Sequence, residues 1–250
     1  MGDRTRAGYL AAALLLLPAT AARAQDGGGV SATVEATTDH RRRGLSWSDG
    51  EAALDASVAL AVAGGLRVEG RATTLRGSPR HGGADAALDA SVAYTTRFGG
   101  WSLTAGATGH AFPGERGLHY GELDASLGYL IGPIEVEALA SYAPDQSAIG
   151  GDNLHLAARA TASLPGTPWS LSAHVGRTSG GADDPLRAAR LRPAGSYTDW
   201  GLRLERVTQR YAVGVRYTGT DIRQGRITPS PFADRENSGD RVSAHVAAFF

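Results

Sequence analysis

Leu54-Asp55-Ala56-Ser57-Val58-Ala59-Leu60-Ala61-Val62-Ala63-Gly64-Gly65-Leu66-Arg67-Val68-Glu69-Gly70-Arg71-Ala72-Thr73 decides the fold. Leu54, Ala56, Val58, Leu60 and Val62 occupy every second position, with Asp55 and Ser57 between them, which is the period of a strand whose two faces meet different surroundings. Gly64-Gly65 supplies a two-residue turn that tolerates positive φ. Leu66, Val68, Gly70 and Ala72 then alternate with Arg67, Glu69, Arg71 and Thr73. The segment reads as a β-hairpin.

The unit repeats. Leu-Asp-Ala-Ser-Val at 54–58 returns at 88–92 and, as Leu-Asp-Ala-Ser-Leu, at 123–127, spaced by 34 and 35 residues. Such a period also marks solenoids and propellers, so the connections must choose the architecture. Short ones fall at 64–65, 99–100, 132–133, 165–168 and 208–210. Long ones fall at 39–51, 76–85, 112–119, 144–152, 178–196 and 221–239, and they hold most of the Gly, Pro, Asp and Asn. Five short turns alternating with six long loops make twelve antiparallel strands, the pattern of an outer-membrane barrel with short periplasmic turns and long external loops. Open edges in lipid would leave backbone groups unpaired, so the sheet is expected to close. A soluble sandwich or lipocalin-like barrel would show the same alternation with its apolar face inward, but a face this rich in Ala and Gly is poor material for a globular core.

The chain ends agree with export. Arg4 and Arg6, the apolar run Tyr9 to Leu17 and Ala22-Arg23-Ala24 make a cleavable signal peptide over 1–24, leaving a barrel over 25–250. The apolar run is far shorter than the roughly 20 residues of a spanning helix, and no longer run follows. In the last strand Val242, Ala244, Val246, Ala248 and Phe250 share one face, and a terminal Phe250 resembles the signal read by the barrel-assembly machinery. Trp101, Trp169 and Tyr211 each follow a short turn, whereas Tyr142, Trp200 and Tyr217 lie near loop ends. Together they are expected to form two aromatic girdles. The chain has no cysteine to staple it, and all its basic residues are Arg. Removing Arg4, Arg6, Arg23 and Asp3 leaves 22 basic and 24 acidic residues, a balance without a basic patch for nucleic acid.

Asp39-His40-Arg41-Arg42-Arg43-Gly44-Leu45-Ser46-Trp47-Ser48-Asp49-Gly50 resembles the opening motif of the TorF family of porins, with matches at Asp39, Arg43, Gly44, Ser46 and Asp49. His40, Arg42 and Trp47 replace the family's usual Tyr, Phe and Gln. Tyr197 to Trp200 and Tyr217 to Asp221 look like the family's late strands. The resemblance implies an outer-membrane barrel with pore activity.

With apolar residues toward lipid, the lumen receives Glu35, Asp55, Arg67, Glu69, Arg71, Asp89, Arg97, Glu122, Asp124, Glu135, Glu137, Arg159, Arg203, Glu205, Arg216 and Arg241. Barrels of about eight strands are filled by side chains and those of about sixteen leave a broad channel, so twelve should leave a narrow one. Acids cluster from Glu122 to Glu137 and bases from Arg159 to Arg241, so opposed walls of opposite sign are expected to favour small polar or zwitterionic solutes. In the loop at 178–196, Asp184 and Pro185 read as the cap and first position of a short helix. That helix would either fold into the lumen as a constriction carrying Arg187 and Arg190 or lie on the surface against lipopolysaccharide. A closed structural or adhesive barrel and a barrel-embedded lipid hydrolase are the alternatives. Ser172 with His174 and Ser243 with His245 share strand faces, but they point away from lipid, so no catalytic residues are assigned. The His spacing fits no metal, Asp145, Asp152, Asn153, Asp234 and Asn237 read as solvated loop residues, and no cofactor is expected. Outer-membrane lipid and small solutes are the expected partners, with the chain a monomer.

Overall fold

The computed structural model describes residues 29–250, so the proposed signal peptide lies outside the described residues. Twelve strands form one closed antiparallel barrel: β1 (Val30–Thr37), β4 (Ala53–Ala61), β5 (Leu66–Thr74), β6 (Ala86–Phe98), β7 (Trp101–Ala111), β8 (Tyr120–Ile131), β9 (Ile134–Gln146), β10 (Gly151–Ser163), β11 (Trp169–Ser179), β12 (Tyr197–Val207), β13 (Tyr211–Thr220) and β14 (Arg241–Phe249). Two further pieces, β2 (Arg41–Arg42) and β3 (Leu45–Ser46), pair only with each other, and α1 (Pro185–Ala188) is a single helical turn.

Neighbours in sequence are neighbours in the sheet, and β1 closes the ring by pairing with β14 from Thr33↔Phe249 to Thr37↔His245. Phe250 and Ala32 complete the seam by exchanging backbone hydrogen bonds of 2.9 and 3.0 Å. Among the described residues the barrel wall therefore has no open edge to present to lipid or to another chain. The first tight turn needs its glycines, since Gly64 and Gly65 have φ of 80° and 88°.

Register decides which face looks where. Leu54, Val58, Leu88, Val92, Leu123 and Leu127 are 42–56% exposed on the outside, whereas Asp55 and Asp89 on the inside are 5% and 9% exposed. An apolar exterior around a polar interior is the reverse of a soluble barrel and is what hydrocarbon requires. Trp101 and Trp169 sit on this outer face at the turn end, Trp101 packing on Tyr129 with ring centroids 4.5 Å apart. Tyr142 lies on the same face toward the loop end.

One connection is shorter than its composition implies. β9 runs on to Gln146 and β10 begins at Gly151, so the loop expected at 144–152 shrinks to a turn over 147–150. Pro144 is accommodated because the register shifts between Gly151 and Asn153, a bulge in which its missing N–H costs no ladder bond.

The external loops do not splay into solvent. Trp47, Leu75, Phe112, Leu118, Tyr120, Ile149 and Leu191, from several loops and strand ends, form a buried apolar cluster over that mouth. The barrel therefore has an inverted wall and, at one end, a cap packed like an ordinary globular core.

Candidate channel interior

The motif at 39–50 builds a small hairpin that enters the barrel. Arg43 and Gly44 form its two-residue turn, with φ of 51° and 73°, the geometry a type I′ turn demands. At Gly44 a Cβ would stand 2.5 Å from the Thr220 methyl, so both backbone sign and space require glycine. Asp39 is the internal hub. Its buried carboxylate accepts from Ser46 Oγ (2.6 Å) and Arg41 Nη1 (3.0 Å), while Ser46 Oγ accepts from the Gly50 N–H (2.8 Å). Arg41 also donates to the carbonyl of Gly239, and Asp49 holds the positive φ at the hairpin's base.

The tip is latched to the wall. The Arg43 guanidinium forks onto Glu122 on β8 with bonds of 2.9 and 2.8 Å, and Arg42 lies over the Trp47 ring and donates to Asp89 on β6. His110 on β7 bridges the same two acids, 2.8 Å from Asp89 and 3.6 Å from Glu122. The Tyr197 hydroxyl on β12 donates to the Arg43 carbonyl at 3.0 Å. β12 and β6 stand six places apart in the twelve-strand ring, so the tip touches diametrically opposite walls and crosses the lumen.

Arg187 and Arg190 require a correction. Asp184 does cap α1, accepting from the N–H groups of Leu186 (3.0 Å) and Arg187 (3.2 Å), but neither arginine lines a constriction. Arg190 is fully buried and donates to the carbonyls of Arg80 (3.0 Å), Leu118 (3.0 Å) and Ala148 (2.6 Å). Arg80 returns the contact to the Arg190 carbonyl and reaches Ser46, and Arg187 donates to Gly117 (2.8 Å). A guanidinium carries five donors, enough to take up carbonyls that folded loops leave unpaired. Burial lowers the Arg190 pKa to about 10, with Arg80 adding to the effect. Burial likewise holds His40 down to about 3, helped by Arg42, Arg216 and Arg71 and opposed by Asp89. His81 is kept neutral by burial and by Arg190 and Arg80.

The remaining charges interleave rather than forming two opposed walls of single sign. Arg71 donates to Asp55 (2.9 Å) and Glu69 (2.8 Å), Arg67 donates to Glu69 (2.9 Å), and Arg159 reaches Glu137 at 3.4 Å. Arg203, Glu205 and His245 form a third group, with His245 Nε2 2.9 Å from Glu205. Asp124 is held by hydroxyls of Thr108 (2.9 Å) and Ser141 (2.6 Å). Asp55, Glu69, Asp124 and Glu137 thus find their partners within their own strand or on a neighbouring one. Arg241 is displaced from the lumen proper: half-exposed at the rim, it donates to the Gly50 carbonyl at 2.9 Å. Arg97 and Glu135 lie at the turn end of their strands.

Beneath the hairpin lies a cavity of about 570 Å³, lined by Arg43, Arg159, His174, Asp199, Arg203 and Arg216 among others. His174 turns its Nε2 toward Asp199 (3.3 Å), while Ser172 is bonded to Thr161 (3.1 Å). His245 is committed to Glu205. The two same-face Ser and His pairs are therefore turned apart.

Residue order alone does not bring the hairpin and Asp199 into one interior. The available signals were Gly44, a residue free to take the positive φ of a tight turn, and Trp47, an aromatic with no reason to stand in a solvated loop.

The barrel is shared with solved outer-membrane proteins at low identity. The KdgM porin superposes with a TM-score of 0.57 at 6% identity, covering 88% of this chain and 98% of its own. The COG4313 outer membrane channel from Pseudomonas putida F1 gives 0.53 at 12% identity, covering 90% and 96%. No curated protein matches in sequence. The Gcw_chp profile, described as a bacterial protein of unknown function, matches residues 21–250, and the chain therefore belongs to the Gcw_chp family.

Proposed function

We propose that the chain is an outer-membrane channel for small polar or zwitterionic solutes, held shut at its outer mouth by the β2–β3 hairpin. The observation that carries this reading is the Arg42–Arg43 tip, which is latched to Asp89 and Glu122 on one side and to Tyr197 on the other, above a polar cavity. Ion pairs and hydrogen bonds make a closure that can be released, because each partner has water or a counter-ion as an alternative once the tip lifts. The TorF-like motif at Asp39, Arg43, Gly44, Ser46 and Asp49 supports the reading by building this hairpin. The inward rows at Asp55, Arg67, Glu69, Arg71, Asp89, Arg97, Glu122, Asp124, Glu135, Glu137, Arg159, Arg203, Glu205 and Arg216 are then pore-lining. Trp101, Trp169 and Tyr211 form the periplasmic girdle, with Tyr142, Trp200 and Tyr217 in the outer one. Phe250 serves assembly, the outer loops face lipopolysaccharide, and the barrel works as a monomer.

A second reading, a closed structural barrel without transport, is favoured by the apolar cluster and by the buried Arg80 and Arg190 that fasten the loops together. Liposome swelling with graded sugars and amino acids separates the two. The channel reading expects slow swelling with the unaltered chain and fast swelling with Asp89→Asn/Glu122→Gln, in amino acids and small sugars but not in larger ones. Equal impermeability of both proteins would establish the closed barrel.

A further inference from the structure

The cavity under the hairpin contains two arginines placed where a strand pair should not have them. Arg203 on β12 and Arg216 on β13 are Cα partners in register, both facing inward. Like charges directly opposite one another destabilise a strand pair. The surroundings relieve the pair only in part. Glu35 on β1 lies 3.9 Å from a nitrogen of each, outside hydrogen-bond reach of both. Arg203 is engaged on one side by Glu205 and His245, yet its Nε is buried without a partner. Arg216 donates no hydrogen bond to any described residue, and among them Glu35 is the only carboxylate within 4 Å of it, with Glu205 farther off. Buried polar groups normally find partners, and a guanidinium presents a planar fork matched to a carboxylate. Here that fork borders an open volume of about 570 Å³, within the usual range of roughly 300–1,000 Å³ for small-ligand sites.

We propose that Arg216, with Arg203 beside it, is the binding site for the carboxylate of a small solute in the cavity beneath the hairpin. The solute carboxylate accepts two parallel N–H bonds from Arg216 and separates the two like charges, the role that Glu35 fills from too far away. Arg43 at the hairpin tip and Arg159 on β10 border the same space, each already paired with an acid, Glu122 and Glu137, and Asp199 is the carboxylate in the lining, so Arg203 and Arg216 carry the cavity's uncompensated positive charge. Glu35 acts as a competitor, so its removal tightens binding. The inference deepens the channel reading by naming the group recognised, and it rests on that reading for the route by which the solute arrives.

The test is calorimetric binding of succinate to the full chain folded in detergent at low salt, with glucose as the neutral control. Saturable binding is expected for the unaltered protein, with none for glucose. Arg216→Gln weakens it by roughly tenfold or more, the scale of a lost charge-assisted pair. Arg216→Lys, which keeps the charge and loses the fork, falls between, and Glu35→Gln binds more tightly than the unaltered chain. Heat-modifiable migration in gels verifies that each variant is a folded barrel. Absence of saturable binding, or the same affinity in Arg216→Gln and the unaltered chain, overturns the proposal. Binding needs no conduction, so a barrel that binds succinate but passes nothing overturns the channel reading alone, and one that conducts without binding overturns the site alone.

Discussion

The wall of the barrel and the cap over its outer mouth obey opposite rules. In the wall, the Leu and Val side chains point outward and most of the charged ones point in, with Arg177 and Arg206 near strand ends as exceptions. In the cap, Trp47, Leu75, Phe112, Ile149 and Leu191 point toward one another as in a soluble core. The difference lies in the solvent each part meets. Hydrocarbon beside the wall gives apolar side chains no reason to turn inward. Water above the cap drives apolar surface into contact and leaves loop carbonyls to be satisfied internally, here by Arg80 and Arg190. One chain therefore carries two stability regimes, and the boundary between them is where the hairpin crosses the lumen.

Charge placed on the two faces of one strand gives the largest test of this contrast. Val92→Arg puts a guanidinium into hydrocarbon near mid-strand and should cost about 2–4 kcal/mol of folding stability in lipid. Ser91→Arg, one residue away but inward, should cost less than about 1 kcal/mol. Urea titrations of folding into liposomes measure both. Similar costs at the two positions would break the assignment of faces.

Acid should act on the loops that close the outer mouth. His40 is held near pKa 3 in the folded hairpin segment, below its unfolded value of about 6.5. The folded state therefore needs the neutral ring, so stability is complete above about pH 6.5 and declines as pH falls toward 3, by about 1.4 kcal/mol per unit. By pH 5 the hairpin should have lost about 2 kcal/mol through His40 alone, and His81, packed against Trp47 and Phe112 in the cap, adds a loss in the same direction. Conductance in planar bilayers should rise between pH 7 and pH 5, and His40→Tyr should flatten that rise. A pH-independent conductance would detach the buried imidazoles from the closure.

The wall was readable from residue order because a two-residue period is visible in one dimension. Leu54-Asp55-Ala56-Ser57-Val58 and its two copies specify faces, strands and turns without knowledge of any contact. What lies inside the barrel was less legible, since partners there are chosen by register. The pairs Arg203 with Arg216 and Asp89 with His110 are far apart in sequence and become neighbours only once the strands align. Arg187 and Arg190 show the same limit from another side. Asp184 and Pro185 announced the helical turn correctly, but the destination of the arginines depended on carbonyls from three other loops. The hairpin motif was conspicuous as a string, Asp39 to Gly50, and opaque as a structure, because nothing local says that a loop beginning outside the barrel turns back into it.

Replacing residues 40–47 by a flexible Gly-Ser linker and recording single-channel conductance in planar bilayers tests the closure directly. The wall does not depend on those residues, so the barrel should still fold, conduct several-fold more than the unaltered chain, and favour cations because Asp89 and Glu122 lose Arg42 and Arg43. A folded, linker-bearing barrel with the conductance of the unaltered chain would contradict the hairpin's role as the gate.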